Sequence, residues 1–269
     1  MGHDPSDIPD DELDLGKLAL ALVAPDHEGV CVNKYESHLD KIASETAIRH
    51  AELISAGAND DVSARLAALK YALSVVHDYR LDDIDHEILE SADIMRVIDR
   101  GSGSRCAISL LYMIAARAQG WAIEGLRFPD YFLCRMEKDG ERLIFDAGQS
   151  CKILEAHDLR AIVKETLGDA AELSSDYLVG LGARASLIHL CNFIKIRHIE
   201  MGDYRFALDI ILRMLVIDPD EYRLMFDAGV LHARLNENEA AINCLNEYIE
   251  RAPDHHDREE ARLLLGELL

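Results

Sequence analysis

From Cys106 to Ala118 the chain reads CAISLLYMIAARA, with Ile108, Leu110, Leu111, Tyr112, Met113, Ile114, Ala115 and Ala116 spread over every face of a helix. A helix that is apolar all round has to be enclosed, so the rest of the domain must be built around this segment. Ser102, Gly103 and Ser104 supply a turn before it, and the Ser104 hydroxyl can cap the first free amides. Gly120 ends it, since glycine accepts the positive φ found just past a last helical turn. Trp121–Arg127, Tyr131–Glu137 and Arg142–Asp146 follow, each short and rich in aromatic or branched residues, with Asp139-Gly140 as a hairpin turn between the last two. One buried helix feeding a small antiparallel sheet predicts an α+β core, residues 100–150, in a mostly helical chain.

The flanks read as helices. Leu15, Leu18, Ala19 and Leu22 form an amphipathic turn stopped by Pro25, and Tyr35, Leu39, Ile42, Ala43 and Thr46 keep helical spacing. Val62 to Val76, through Leu66, Leu69 and Leu73, gives the best-defined amphipathic helix of residues 15–99, with shorter pieces at Ile84–Leu89 and Ile94–Ile98. This half carries neither a Gly-rich phosphate loop nor a paired nucleophile and base, and its expected role is to pack on the Cys106 helix. Residues 1–14 read as an acidic, flexible tail with no basic or apolar signal region. A further helix spans Leu159 to Leu167, ending at Gly168, and GLGARA at 180–185 marks a boundary. Beyond it, Gly202-Asp203-Tyr204, Ala207-Leu208 and Asp218-Pro219-Asp220 are matched 34 residues later by Asn236-Glu237-Asn238, Ala241-Ile242 and Ala252-Pro253-Asp254. That period, with small residues at the crossing and a proline after the second helix, is the tetratricopeptide signature. It predicts two helical hairpins and a closing helix in residues 186–269, behind a domain of residues 15–185.

The net charge of −22 narrows the choice of partner. Residues 1–99 carry 22 acidic and 8 basic side chains and residues 186–269 carry 16 and 9, so both flanks repel phosphate. That balance argues against nucleic acid as a partner and disfavours anionic membrane surfaces. Six cysteines (31, 106, 134, 151, 191 and 244) lack any C-x-x-C pair, which favours free thiols in a reducing cytoplasm. No histidine or cysteine spacing matches a zinc site, and neither a metal nor a cofactor is expected.

A thiol at a helix N-terminus, followed by strands carrying a base and an acid, is the layout of a papain-like or transglutaminase-like site. The segments ESADIMRVIDRGSGSRCAISLLYMIAARAQGWAIEGLRFPDYFLCR (90–135), LIFDAG (143–148) and NFIKIRHIEMGDYRFALDIILRMLVIDPD (192–220) carry a resemblance to the SirB-type family of bacterial proteins. There a helical N-terminal region, a transglutaminase-like unit and tetratricopeptide repeats follow one another. The resemblance covers roughly residues 15–265 and implies an intracellular protein with a regulatory role. Two departures bear on chemistry. The family's RRGxPxSL reads RGSGSRCAISL, without proline and with Cys106 added. Its PGHF becomes Pro129-Asp130-Tyr131-Phe132, which puts tyrosine at the histidine position. The resemblance implies triad positions at Cys106 or its neighbour Arg105 (counted back from Gly120), at Tyr131 and at Asp146.

A helix N-terminus and Arg105 both favour a thiolate at Cys106. A thiolate still needs a base to take and return a proton, and the phenol of Tyr131 is a poor one at neutral pH. No histidine lies between Glu87 and Ala156, so a base would have to come from His86, His157 or farther away. Losing the base costs on the order of 10²–10⁴ in rate. Other roles are open to the same residues. Cys106, Cys134 and Cys151 can be small core residues, Tyr131 a core aromatic bonding Asp146, and Asp146 a turn cap or an arginine's partner. Arg100 and Arg105 can hold an anion or pair with the acidic N-terminal half. The expectation is a non-catalytic module that holds a protein or peptide partner on its repeats, through Asn192, Tyr222, Arg223 and Phe226. The rival is a cysteine-dependent acyl transferase or amidase using Cys106, Asp146 and a displaced base.

Overall fold

A computed structural model of the chain describes residues 8–82, 88–129 and 131–268. The start of the expected acidic tail, His86, most of the Ile84–Leu89 piece and Asp130 lie outside that range. Its contacts divide the chain into two compact units, one of residues 10–187 and one built from residues 188–269.

The first unit opens with α1 (Leu15–Val23), α2 (Val32–Ser55) and α3 (Val62–Lys70). Asp14 caps α1 and Asp61 caps α3, each carboxylate accepting from the amide three residues on. The single helix expected over Val62–Val76 instead widens at Tyr71–Val76 into a π-turn. The chain continues through β1 (Arg80–Leu81), α4 (Ile88–Ala92), α5 (Ile94–Arg100) and β2 (Ser102–Gly103), where β1 and β2 pair in parallel.

Then comes α6 (Arg105–Arg117), in which every residue from Cys106 to Ala116 is buried. Ser104 caps it, accepting from Ala107 N at 3.3 Å, and Gly120 follows it at φ +69°. β3 (Ala122–Phe128), β4 (Tyr131–Lys138) and β5 (Glu141–Asp146) form the antiparallel sheet, which two-residue edge strands complete: β6 (Lys152–Ile153) beside β5, and β7 (Gly180–Leu181) beside β3. Asp139 and Gly140, at φ +51° and +85°, make the β4–β5 turn.

Alternation along β4 divides the core in two. Cys134 Sγ faces the Ser109 carbonyl on α6, and its cross-strand partner Phe145 packs edge-on against Tyr112 of α6. Leu133 looks the other way, into a cluster with Leu126, Phe128 and Leu154 that α7 (Ala156–Leu167) covers with Leu159, Ile162 and Val163. α6 thus lies between the sheet on one side and α1, α2 and α5 on the other.

α8 (Ala183–Glu200) begins under the carboxylate of Asp10, which accepts from Ala183 N (2.7 Å) and Arg184 N (2.8 Å). The Arg117 guanidinium donates to the carbonyls of Asp10, Asp11 and Leu13. The last residues of the acidic segment are therefore pinned in place.

The second unit is all helical: the rest of α8, then α9 (Tyr204–Ile217), α10 (Arg223–Arg234), α11 (Asn238–Arg251) and α12 (His255–Leu268). The sequence period recurs in its geometry. Gly202 and Asn236, 34 residues apart, take φ of +78° and +60° at the two hairpin turns. Ala207 and Ala241 are fully buried at the crossings. His198 bonds Asp203 (3.2 Å) and His232 bonds Glu237 (2.7 Å), so each hairpin ties its first helix to the start of its second in the same way.

Candidate functional site

Arg105 is the first residue of α6, and its guanidinium leaves the buried helix at the end of the sheet. It donates to Asp146 Oδ2 and lies over the Tyr131 ring, 4.4 Å from its centroid. Asp146 closes β5 with 1% of its surface exposed. Its Oδ1 accepts from Gly148 N (2.9 Å) and Gln149 N (3.3 Å), which caps the short helical turn Ala147–Gln149. Amides meet one oxygen and a cation meets the other, so both oxygens of the buried carboxylate are partnered.

Arg105, the residue reached by counting back from Gly120, is therefore in contact with both Tyr131 and Asp146. The hydroxyl bond from Tyr131 to Asp146 does not form; Arg105 lies between the two. Nor does Arg105 pair with the acidic N-terminal half. Arg100 does so, reaching Asp82 (3.1 Å) and Glu90 (3.3 Å) at the end of α5. Cys106 follows Arg105 into the core and is 8% exposed. His157 is exposed on α7, 3.5 Å from Asp158.

A guanidinium cannot act as a nucleophile, and Arg105 is held as a cation between the Tyr131 ring and the Asp146 carboxylate. Deeper in the core, Tyr112 bonds Ser74 (2.6 Å). Burial pushes the Cys151 thiol up to about 12 and Cys134 further still. Both are held as protonated packing groups. Among the described residues no group of three or more histidine, cysteine, aspartate or glutamate side chains could hold a metal. No described helix is long and apolar enough to cross a membrane.

In the repeats, Tyr222 and Phe226 turn inward. Their rings lie 5.7 and 5.2 Å from that of Tyr248, packed against Leu245, Ala252 and Ala261. Asn192 is half-buried on α8. Arg223 is exposed, with its guanidinium 5.2 Å from the Tyr222 ring and 3.7 Å from Glu221. Of the four anchors expected on these helices, the two aromatic ones hold the hairpin together.

Residues 33–192 match the transglutaminase-like superfamily and residues 194–266 match a tetratricopeptide repeat family. A UPF0162 protein of Xylella fastidiosa (strain Temecula1) is 22% identical over 263 residues, covering 95% of this chain and 90% of the relative. A UPF0162 protein of Vibrio cholerae is 25% identical over 167 residues, 61% of each chain. No solved structure matches. With more than half its length matched by that one family, and with its buried helix, hairpin sheet and C-terminal repeats in the expected order, the chain belongs to the transglutaminase-like superfamily.

Proposed function

We propose that this protein is a catalytically silent transglutaminase-like scaffold of the bacterial cytoplasm, which acts by holding a protein or peptide partner on its tetratricopeptide repeats. One observation supports the reading: Arg105, at a position expected for the nucleophile, is a guanidinium paired with Asp146, the expected acid. The family's chemistry needs a thiolate there and an imidazole next to it, and at the expected positions this chain carries Arg105 and Tyr131. Repeats of this type commonly mediate protein–protein contacts, which supports the second half of the reading.

The silent site is tested by incubating the purified chain with amide and thioester substrates while following iodoacetamide labelling of Cys106 across pH. The expected result is no turnover and slow labelling below pH 7. Fast labelling there, with turnover abolished by Cys106→Ser, reverses the reading in favour of a cysteine-dependent transferase or amidase. The docking role is tested by capture from a bacterial lysate with the full chain and with a chain lacking residues 188–269. The expected outcome is a partner retained only by the full chain, and an identical set of captured proteins from both would sink the docking role.

A further inference from the structure

Away from the degenerate triad, two histidines, a tyrosine and a glutamate meet where α2 crosses the end of the π-turn. His77 Nε2 lies 2.6 Å from Glu45, and His38 Nε2 lies 2.7 Å from the Tyr79 hydroxyl. The two imidazoles stand edge to face with centroids 5.0 Å apart. Tyr79 is 3% exposed. This cluster anchors an unusual piece of backbone. The π-turn closes with His77 N on the Ala72 carbonyl (3.2 Å), Asp78 comes next at φ +52°, and Tyr79 N returns to the Leu73 carbonyl (2.9 Å). A π-turn with a left-handed aspartate after it is a costly conformation that persists only where its surroundings enforce it. Ser74 holds the middle of the turn to Tyr112, and Tyr79 and His77 hold its end to α2.

The strand beyond the turn leads to the triad positions. Arg80 N and Asp82 N bond the carbonyls of Gly101 and Gly103, so β1 fixes the two residues that precede the cap of α6. Leu81 packs so tightly on Gly148 that a Cβ there would lie 2.7 Å from Leu81 Cγ. Gly148 is also one of the amides that hold Asp146.

We propose that His38 and Tyr79 form an acid-sensitive latch, which holds the π-turn and β1 in place while His38 is neutral and releases them when it is protonated. In the tautomer protonated at Nδ1, neutral Nε2 accepts a hydrogen bond from the buried Tyr79 hydroxyl. A charged imidazole has no lone pair at Nε2 and can only donate to the phenol oxygen, which leaves the hydroxyl hydrogen without its acceptor. The groups facing His38 decide how hard it is to charge: His77 and Tyr79 from the turn, Lys34, Lys41 and Glu45 on α2, and Asp99 on α5 beside Tyr79. Burial first, then His77 and Lys41, hold His38 below the ordinary histidine value of 6.5 against the pull of Glu45. A folded value below the unfolded one means that opening takes up a proton, so the latch weakens as pH falls through about 6.5.

Hydrogen–deuterium exchange of the full chain at pH 7.5 and 5.5, corrected for intrinsic rates, reads the latch directly. Residues 71–82 and 101–104 are expected to lose protection several-fold at pH 5.5 while α11 does not. The increment should vanish in His38→Gln, whose amide oxygen can accept but cannot charge. It should also shrink in Tyr79→Phe, which has no donor to strand and serves if the first variant does not fold. Equal protection at the two pH values in the wild-type chain overturns the proposal, as does an increment that survives in His38→Gln or is undiminished in Tyr79→Phe.

Discussion

Asp146 has almost no access to water, so whatever meets its charge has to be supplied by the protein. Gly148 and Gln149 amides meet one oxygen and Arg105 meets the other. Removing the cation leaves a buried charge half-solvated, at a cost of about 3 kcal/mol. Arg105→Ala should lower the stability of the first unit by roughly that amount in urea unfolding. Arg105→Lys keeps the charge but not the planar group over Tyr131, and should cost about 1 kcal/mol. If Arg105→Ala leaves stability unchanged, the buried ion pair contributes nothing and Asp146 is held by its amides alone. The same geometry predicts that the double variant R105C/Y131H brings a thiol, an imidazole and a carboxylate back together. The thiol introduced at position 105 should label with iodoacetamide below pH 7, faster than in R105C alone. Equal rates would mean that position 131 does not face position 105 in solution as a base must.

Elements are held by features of two kinds. Asp10 is a helix cap supplied from far away in sequence, and Asp10→Ala should cost about 1 kcal/mol and speed amide exchange in the first turn of α8. Unchanged exchange there would rule the cap out. Glycines on two repeat helices separate packing from backbone propensity. At Gly229 of α10 a Cβ would lie 2.8 Å from Leu245 Cγ, whereas at Gly266 of α12 nothing lies within 4 Å. Alanine gains about 1 kcal/mol over glycine in either helix, but overpacking costs about 1–3 kcal/mol at the first alone. Gly229→Ala should therefore destabilise the chain and Gly266→Ala stabilise it; the same sign for both would refute the tight crossing. What the sequence made legible divides along the same line. α6, its Ser104 cap, the Gly120 exit and the Asp139-Gly140 turn depend on neighbours in the chain, and the 34-residue period returned as paired turns at Gly202 and Asn236. The π-turn was not legible, because Val62–Val76 keeps an amphipathic pattern throughout. The widening at Tyr71 sets Ser74 and His77 towards Tyr112 and Glu45, 38 and 32 residues away. β6 and β7 are too short to show alternation. Which carboxylate Arg105 would meet was not legible either, because its partner lies 41 residues later in the chain.

Over the whole molecule, two electrostatic effects pull in opposite directions as pH falls. The chain carries −22 at neutral pH and reaches zero near its pI of about 4.8, so self-repulsion weakens steadily on the way down. The specific carboxylate contacts are lost mostly below that range. Bonds from Arg65 and Lys138 hold Asp60 well below its ordinary value, bonds from Arg205 and His232 lower Glu237, and the Glu155 amide lowers Asp158. At Asp99, burial is outweighed by Lys34 and Tyr35. A depressed carboxylate contributes stability that is fully present above its unfolded value and is lost as pH falls through its folded one. His38, also depressed, begins to subtract earlier, below about 6.5. Because these carboxylates are exposed or half-buried, each pair is weak and salt-sensitive. Their loss begins only below their unfolded values, about 4, so between pH 6.5 and the pI His38 alone among these groups opposes the relief of self-repulsion. Urea midpoints measured from pH 3 to pH 8 should therefore fall below about pH 4, with a shallower fall in 0.5 M salt. Midpoints that keep rising as pH drops from 5 to 3 would show that net charge governs this fold, and that its depressed carboxylates count for little.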